Sequence, residues 1–207
     1  MKLKHWLYIA IGLLFIGLIG FWHVADTSSI LKKVVEFKAL SNKEIGQEID
    51  SFNGVAVYYN DKVSTVVGRN LANDGYNLGL KYQCVEFVKR YYYEHLNHKM
   101  PETYGHAKDF FDTRLADGQK NSSRNLIQYK NPSKSKPEVN DLLVFDKTIF
   151  NPYGHVAIVS KVSDNEIELI QQNPGPRGKS RETIRITNKD GNWKINRGLI
   201  LGWLRKE

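Results

Sequence analysis

From Leu142 to Leu204 the chain runs in short apolar or alternating stretches broken by turn signals, a pattern that commits this part to antiparallel strands. Leu142-Leu143-Val144-Phe145 is a continuous apolar run. Gly154 to Val162 alternates, and Ser163-Asp164-Asn165 separates it from Glu166 to Gln172, which predicts a hairpin. Thr183 to Ile186 and Trp193 to Ile195 flank the turn signal Asn188-Lys189-Asp190-Gly191, and Leu199 to Leu204 predicts a closing strand. Ahead of these strands lies an amphipathic helix that starts at Cys84. Its apolar residues Val85, Val88, Tyr92 and Leu96 recur at helical spacing, Phe87 and Tyr91 widen the face, and it ends near His95 or Asn97. A second short helix is predicted over Ala107 to Leu115, and then a long, polar, basic surface loop over Gln119 to Lys136. Phe52 to Gly79 reads as loops with at most short strands. Helices followed by antiparallel strands define an α+β class.

At 207 residues and 41% hydrophobic composition, the chain can hold one domain and an extension. Trp6 to Trp22 carries no charge and follows the basic start Met1-Lys2-Leu3-Lys4-His5. Seventeen helical residues span about 25 Å, near the lower limit for the hydrocarbon core, and a tryptophan at each end suits the two interfaces. The segment reads as one N-terminal transmembrane helix. A cleaved signal peptide is the alternative, but cutting after Ala25 would put His23 where a small residue is required. The organisation is therefore an anchor over 1–25, a partly helical, lysine-rich stalk over 26–50 and a domain over 51–207. The lysines before the anchor orient the domain toward the periplasm or cell surface, or release it as a secreted protein if the segment is cut.

The net charge is +8, and +6 remains once Lys2 and Lys4 are set aside, which suits anionic partners such as a cell-wall polymer or lipid headgroups. Nucleic acid is not expected as a partner, because the basic run Arg177, Lys179, Arg181 and Arg185 has no interleaved aromatic residue. His95 and His98 have metal-compatible spacing but no carboxylate or cysteine set beside them, so no metal is expected.

Chemistry centres on Cys84, the single cysteine, which cannot form an intrachain disulfide. At the first turn of a helix the unpaired backbone N–H groups and the helix dipole favour the thiolate, the nucleophilic form. A nucleophilic cysteine needs a base, and the base needs a group that fixes its ring. Of six histidines, His106 in a loop and His155 at the start of a strand are placed for a site. Hairpin register puts His155 opposite Asn173, with Gln171 diagonal on the same face, so either amide can accept from the imidazole.

Tyr82-Gln83-Cys84-Val85-Glu86-Phe87, Asn140-Asp141-Leu142-Leu143-Val144-Phe145, Gly154-His155-Val156-Ala157-Ile158-Val159 and Gln171-Gln172-Asn173 occur in that order. In these blocks, from about Gly54 to Trp203, the sequence resembles CHAP domains, the cysteine, histidine-dependent amidohydrolases and peptidases of the papain-like superfamily. Within them it resembles most the glutathionylspermidine amidases. The resemblance implies a papain-like domain with N-terminal helices packed on an antiparallel sheet. It makes Cys84 the nucleophile and His155 its base, with Gln171 where those amidases have a glutamate. It also implies that Gln83, Lys89, the loop Tyr104-Gly105-His106-Ala107 and Asn173 bind the substrate, with Lys89 standing where the amidases have an arginine.

The expected activity is an anchored, exported cysteine amidohydrolase that works through a thioacyl intermediate without a cofactor. The second candidate substrate is the peptide of peptidoglycan. A rival of another kind is a binding module weakened in catalysis, motivated by Gln171 and Lys89.

Overall fold

The computed structural model describes residues 43–175 and 178–207. The predicted anchor, the stalk up to residue 42 and Arg177 lie outside the described residues. Among the described residues no helix is long and apolar enough to cross a membrane.

The predicted strands form and are joined by two more. Strands β5 (Gln119–Asn121), β6 (Leu126–Lys130), β7 (Leu142–Phe145), β8 (His155–Val162), β9 (Glu166–Ile170), β10 (Arg181–Lys189), β11 (Asn192–Ile195) and β12 (Ile200–Arg205) make one sheet. Its order is β11-β10-β9-β8-β7-β12-β6-β5, antiparallel at each pairing. Before it lie two hairpins, β1 (Glu48–Phe52) with β2 (Val55–Tyr58) and β3 (Arg69–Leu71) with β4 (Asn77–Leu80), and then helix α1 (Cys84–Glu94).

Period-2 alternation sorts the sheet's side chains into two cores. Leu142, Val144, Val156, Ile158 and Ile170 join Phe87, Val88, Tyr91 and Tyr92 of α1. The intervening Leu143, Phe145, Ala157, Val159 and Leu169 join Ile184, Ile186, Ile195 and Trp203. This second core is built from strands alone, so the sheet has to curl around it. β-Bulges at Val159/Lys161 and Ile200/Gly202 supply curvature. Asn131, just after β6, closes the curl: its Oδ1 accepts from the Ile195 N–H (2.9 Å), its Nδ2 donates to the Ile195 carbonyl (3.1 Å), and Ser133 bridges to Trp193.

Three expectations are corrected. Glu48–Asp50, assigned to the stalk, are part of β1, and the compact unit runs from Glu44 to Glu207. Among the described residues the helical component is one α-helix and a single 3₁₀ turn, Ala107–Phe110, rather than a second helix to Leu115. The chain leaves that turn because Phe111 is extended and the Asp112 N–H donates to Gln128 Oε1 (2.9 Å). Gln119 to Lys136 is not simply a surface loop, since it contributes β5 and β6. Gln128, fully buried, breaks the apolar pattern of β6 while Asn121 and the backbone of Asp112 satisfy its amide.

Candidate active site

The turn from β4 into α1 delivers Cys84. Tyr82 adopts a left-handed conformation (φ 62°), which costs a non-glycine residue on the order of 1 kcal/mol or more. Its ring is held edge-on by Tyr58 (5.3 Å). The Gln83 N–H closes the turn on the Leu80 carbonyl (3.1 Å), and Gln83, extended, is the helix N-cap. Cys84 is thus the first helical residue.

His155 is the first residue of β8 and pairs with Phe145. Gly154 before it has φ 74°, and a Cβ there would come within 2.6 Å of the Phe145 carbonyl, so glycine is required at this approach. The β8–β9 ladder pairs Ile158 with Ile170, where β9 ends, and Asn173 beyond it is left-handed (φ 52°), so the expected His155–Asn173 pairing is not formed by the ladder. Gln171 nevertheless holds the ring. His155 Nε2 lies 2.8 Å from Gln171 Oε1, while Gln171 Nε2 donates to the Lys179 carbonyl (3.0 Å). The amide's orientation is therefore fixed, Nε2–H is the donor, and Nδ1 is left as the basic nitrogen.

Cys84 and His155 line one cleft of about 500 Å³. Both groups keep partial exposure to the cleft, yet desolvation dominates their ionisation. Burial pushes the Cys84 thiol up to about 11 against backbone hydrogen bonds from Val156, Val85 and its own amide. Burial likewise pushes His155 down to about 4, opposed by the bond to Gln171 and reinforced by the positive charge of Arg197. Desolvation thus opposes the thiolate that the helix N-terminus favours, and it opposes the imidazolium as well.

Tyr104, Gly105, His106, Ala107, Gln83 and Asn173 all line the cleft. His106 caps the 3₁₀ turn reciprocally with Asp109 and packs on Tyr153 (4.8 Å). Gln83 is not available as a side-chain donor. Its amide N–H groups are bonded to the Val63 and Thr65 carbonyls (3.0 and 2.8 Å), and its Oε1 accepts from Asn173 Nδ2 (2.8 Å). Lys89 does not join the cleft: it is 1% exposed, its ammonium bonded to the carbonyls of Asn77 and Thr103 (the latter at 2.9 Å) and 4.9 Å from the centre of the Tyr76 ring. Desolvation, helped by Arg124 and Arg69, lowers its pKa to about 8.

Gln172 was passed over between its neighbours. It is fully buried; its Oε1 accepts from the Tyr58 N–H (2.7 Å), and its Nε2 donates to the Gln83 carbonyl (3.0 Å) and to Glu86 Oε2 (2.8 Å). Glu86 is in turn paired with Arg90 (2.6 Å) and Asn70 (2.8 Å). Gln171 thus serves the histidine, while Gln172 and Asn173 serve the turn that carries the cysteine. Three successive amides in Gln171-Gln172-Asn173 were the available signal.

A cysteine at the head of a helix and an amide-oriented histidine at the head of a strand, in one cleft, define the class of cysteine-dependent hydrolases of amide bonds. Residues 73–173 match the family model of the CHAP domain, and the chain carries a CHAP domain. The bifunctional glutathionylspermidine synthetase/amidase of Escherichia coli (strain K12) is 31% identical over 172 residues, 73% of this chain and 27% of that protein. Trypanothione synthetase of Crithidia fasciculata is 25% identical over 144 residues, 68% of this chain and 22% of that protein. The chain thus spans about a quarter of the length of these curated relatives. A solved wild type endolysin, LysIME-EF1, is 20% identical, with 69% of this chain and 60% of that one covered at a TM-score of 0.37.

Proposed function

We propose that the domain is a cysteine amidase in which Cys84 attacks an amide carbonyl and forms a thioester. The observation that carries this reading is the bond from His155 to Gln171, which leaves Nδ1 of a neutral imidazole as a base in the cleft of Cys84. Burial favours the protonated thiol, and in this reading its proton passes to His155 Nδ1 as the carbon–sulfur bond forms. The imidazolium then gives that proton to the leaving amine as the carbon–nitrogen bond breaks. Water, deprotonated by the same nitrogen, adds to the thioester and releases the acid and the thiol. The oxyanion is held at the helix N-terminus, chiefly by the Cys84 N–H. One such donor is typically worth about 3 kcal/mol of transition-state stabilisation. Gln83 acts by holding the turn and Asn173, and Lys89 acts behind the wall rather than on the substrate.

Two amide substrates fit this chemistry, glutathionylspermidine and the peptide of peptidoglycan. We further propose that Trp6 to Trp22 anchors the domain on the outer side of a membrane, where the positive charge of the chain favours the anionic wall polymer. The test compares wild type with Cys84→Ala, reading amino-group release from purified cell wall and polyamine release from glutathionylspermidine. Loss of both in the variant, with the fold retained, is expected; unchanged turnover in the variant rules the mechanism out. The low basicity of His155 favours one other reading, a wall-binding module with little turnover. Cell-wall binding without release of either product by the wild type would mark it.

A further inference from the structure

Of the residues lining the cleft, one carries a permanent charge. Arg69, the first residue of β3, is exposed at the cleft, and no Asp or Glu is among the lining residues. Its guanidinium is held on two sides. Nη1 donates to Asn77 Oδ1 (3.0 Å), and the group lies 5.2 Å from the centre of the Tyr104 ring. Asn77 is itself fixed, since its Oδ1 also accepts from the Gly79 N–H (3.1 Å) and its Nδ2 donates to the Thr103 carbonyl (3.2 Å). Among the described residues no carboxylate forms an ion pair with Arg69 within 4 Å. The other two arginines of the neighbourhood differ. Arg90 is bonded to Glu86, and Arg124 is buried with its donors on the carbonyls of Glu102 and Asp109.

A guanidinium has five N–H donors in a rigid fork, and Asn77 engages one nitrogen, so Arg69 presents most of its fork on a preset frame. Ordering a free arginine costs entropy on binding, and here the stacking and the hydrogen bond have already met that cost. We propose that Arg69 is a specificity residue which binds a carboxylate on the substrate, so that the domain prefers amides bearing a carboxylate near the scissile bond. This deepens the amidase reading and rests on it. A carboxylate on the substrate gains a charge-assisted pair with Arg69, whereas an ammonium placed there meets a like charge with no lining acid to offset it.

The test does not depend on turnover. Two peptides that differ by one group, N-acetyl-glutamyl-alaninamide and N-acetyl-glutaminyl-alaninamide, are titrated as protectants of Cys84 against iodoacetamide. Wild type should need about tenfold less of the glutamyl peptide for half protection, and added salt should shrink the difference. Arg69→Gln should remove the preference, and Arg69→Lys should restore part of it. Equal protection by the two peptides in wild type, protection by neither, or a preference that survives Arg69→Gln overturns the proposal. A carboxylate preference in a protein that cleaves no amide would leave Arg69 as a carboxylate site and remove only the amidase reading.

Discussion

Gln172 Nε2 lies 2.8 Å from Glu86 Oε2, a bond between the strand segment that fixes the histidine and the helix that carries the cysteine. The same nitrogen reaches the Gln83 carbonyl, so one amide joins both parts of the site. Gln172→Ala should leave the buried Glu86 short of a donor and lower stability by about 1–3 kcal/mol. Alkylation of Cys84 should change along with it. Urea unfolding checks the first, and an unchanged midpoint would show that Gln172 is not a structural tie.

Gln171→Glu should raise the basicity of His155, because a carboxylate stabilises the imidazolium where an amide cannot. Cys84 alkylation by iodoacetamide should then begin at lower pH, by about one unit or more. Gln171→Ala should slow alkylation at every pH by freeing the ring. The pH–rate profile of the three proteins distinguishes these outcomes.

In wild type, alkylation should climb through pH 9 toward the thiol's value of about 11 and show no plateau near neutrality. A plateau below pH 8 would mean that the thiolate is preformed after all.

Stability should depend on pH in two opposed windows. His155 is held near 4 against about 6.5 unfolded, so the unfolded chain binds the extra proton and stability contributed by the neutral ring is lost as pH falls from about 6.5 toward 4. Asp141, raised to about 6 by burial, works the other way, favouring the fold as pH falls from 6 toward 3.8. The two overlap, so the difference between wild type and His155→Gln isolates the histidine. That difference in melting temperature should shift in favour of the variant below pH 6.5. At the alkaline end Cys84, protonated to about 11 in the fold, should cost stability as pH rises from 9.

Lys89→Arg should not create a better substrate contact. The position is buried, and the larger guanidinium must displace the carbonyls of Asn77 and Thr103, costing about 1–3 kcal/mol. Thermal melting reads this directly; a lower KM with an unchanged melt would show that Lys89 reaches the substrate.

The strands of the second half were legible because their alternation comes from a two-faced sheet, and Leu142 to Phe145 and His155 to Val162 obey it. Strand β6 was not, because its buried Gln128 and the buried Asn121 of β5 place amides where the pattern expects apolar groups. Cys84 and His155 were legible from local motifs, whereas the cleft-lining places of Gln83, Tyr104, Gly105, His106, Ala107 and Asn173 came only from the family resemblance. Ionisation was not, since the loss of water around the thiol depends on packing that no local spacing records. Arg69 was missed for a related reason: it becomes part of the cleft only when the β3–β4 hairpin folds against the Tyr104 loop. The placement of Lys89 also escaped, because helical spacing says which face a residue is on and not how deep its side chain lies.

The closure made by Asn131 has a bearing on how copies of such a domain behave side by side. A strand left open at the end of a sheet can template pairing with another molecule. Here the amide of Asn131 and the bridge at Ser133 occupy the backbone of β11, and the opposite end is only the three-residue β5. Among the described residues, neither end of the eight-stranded sheet offers a crowded neighbour a long open strand to add to.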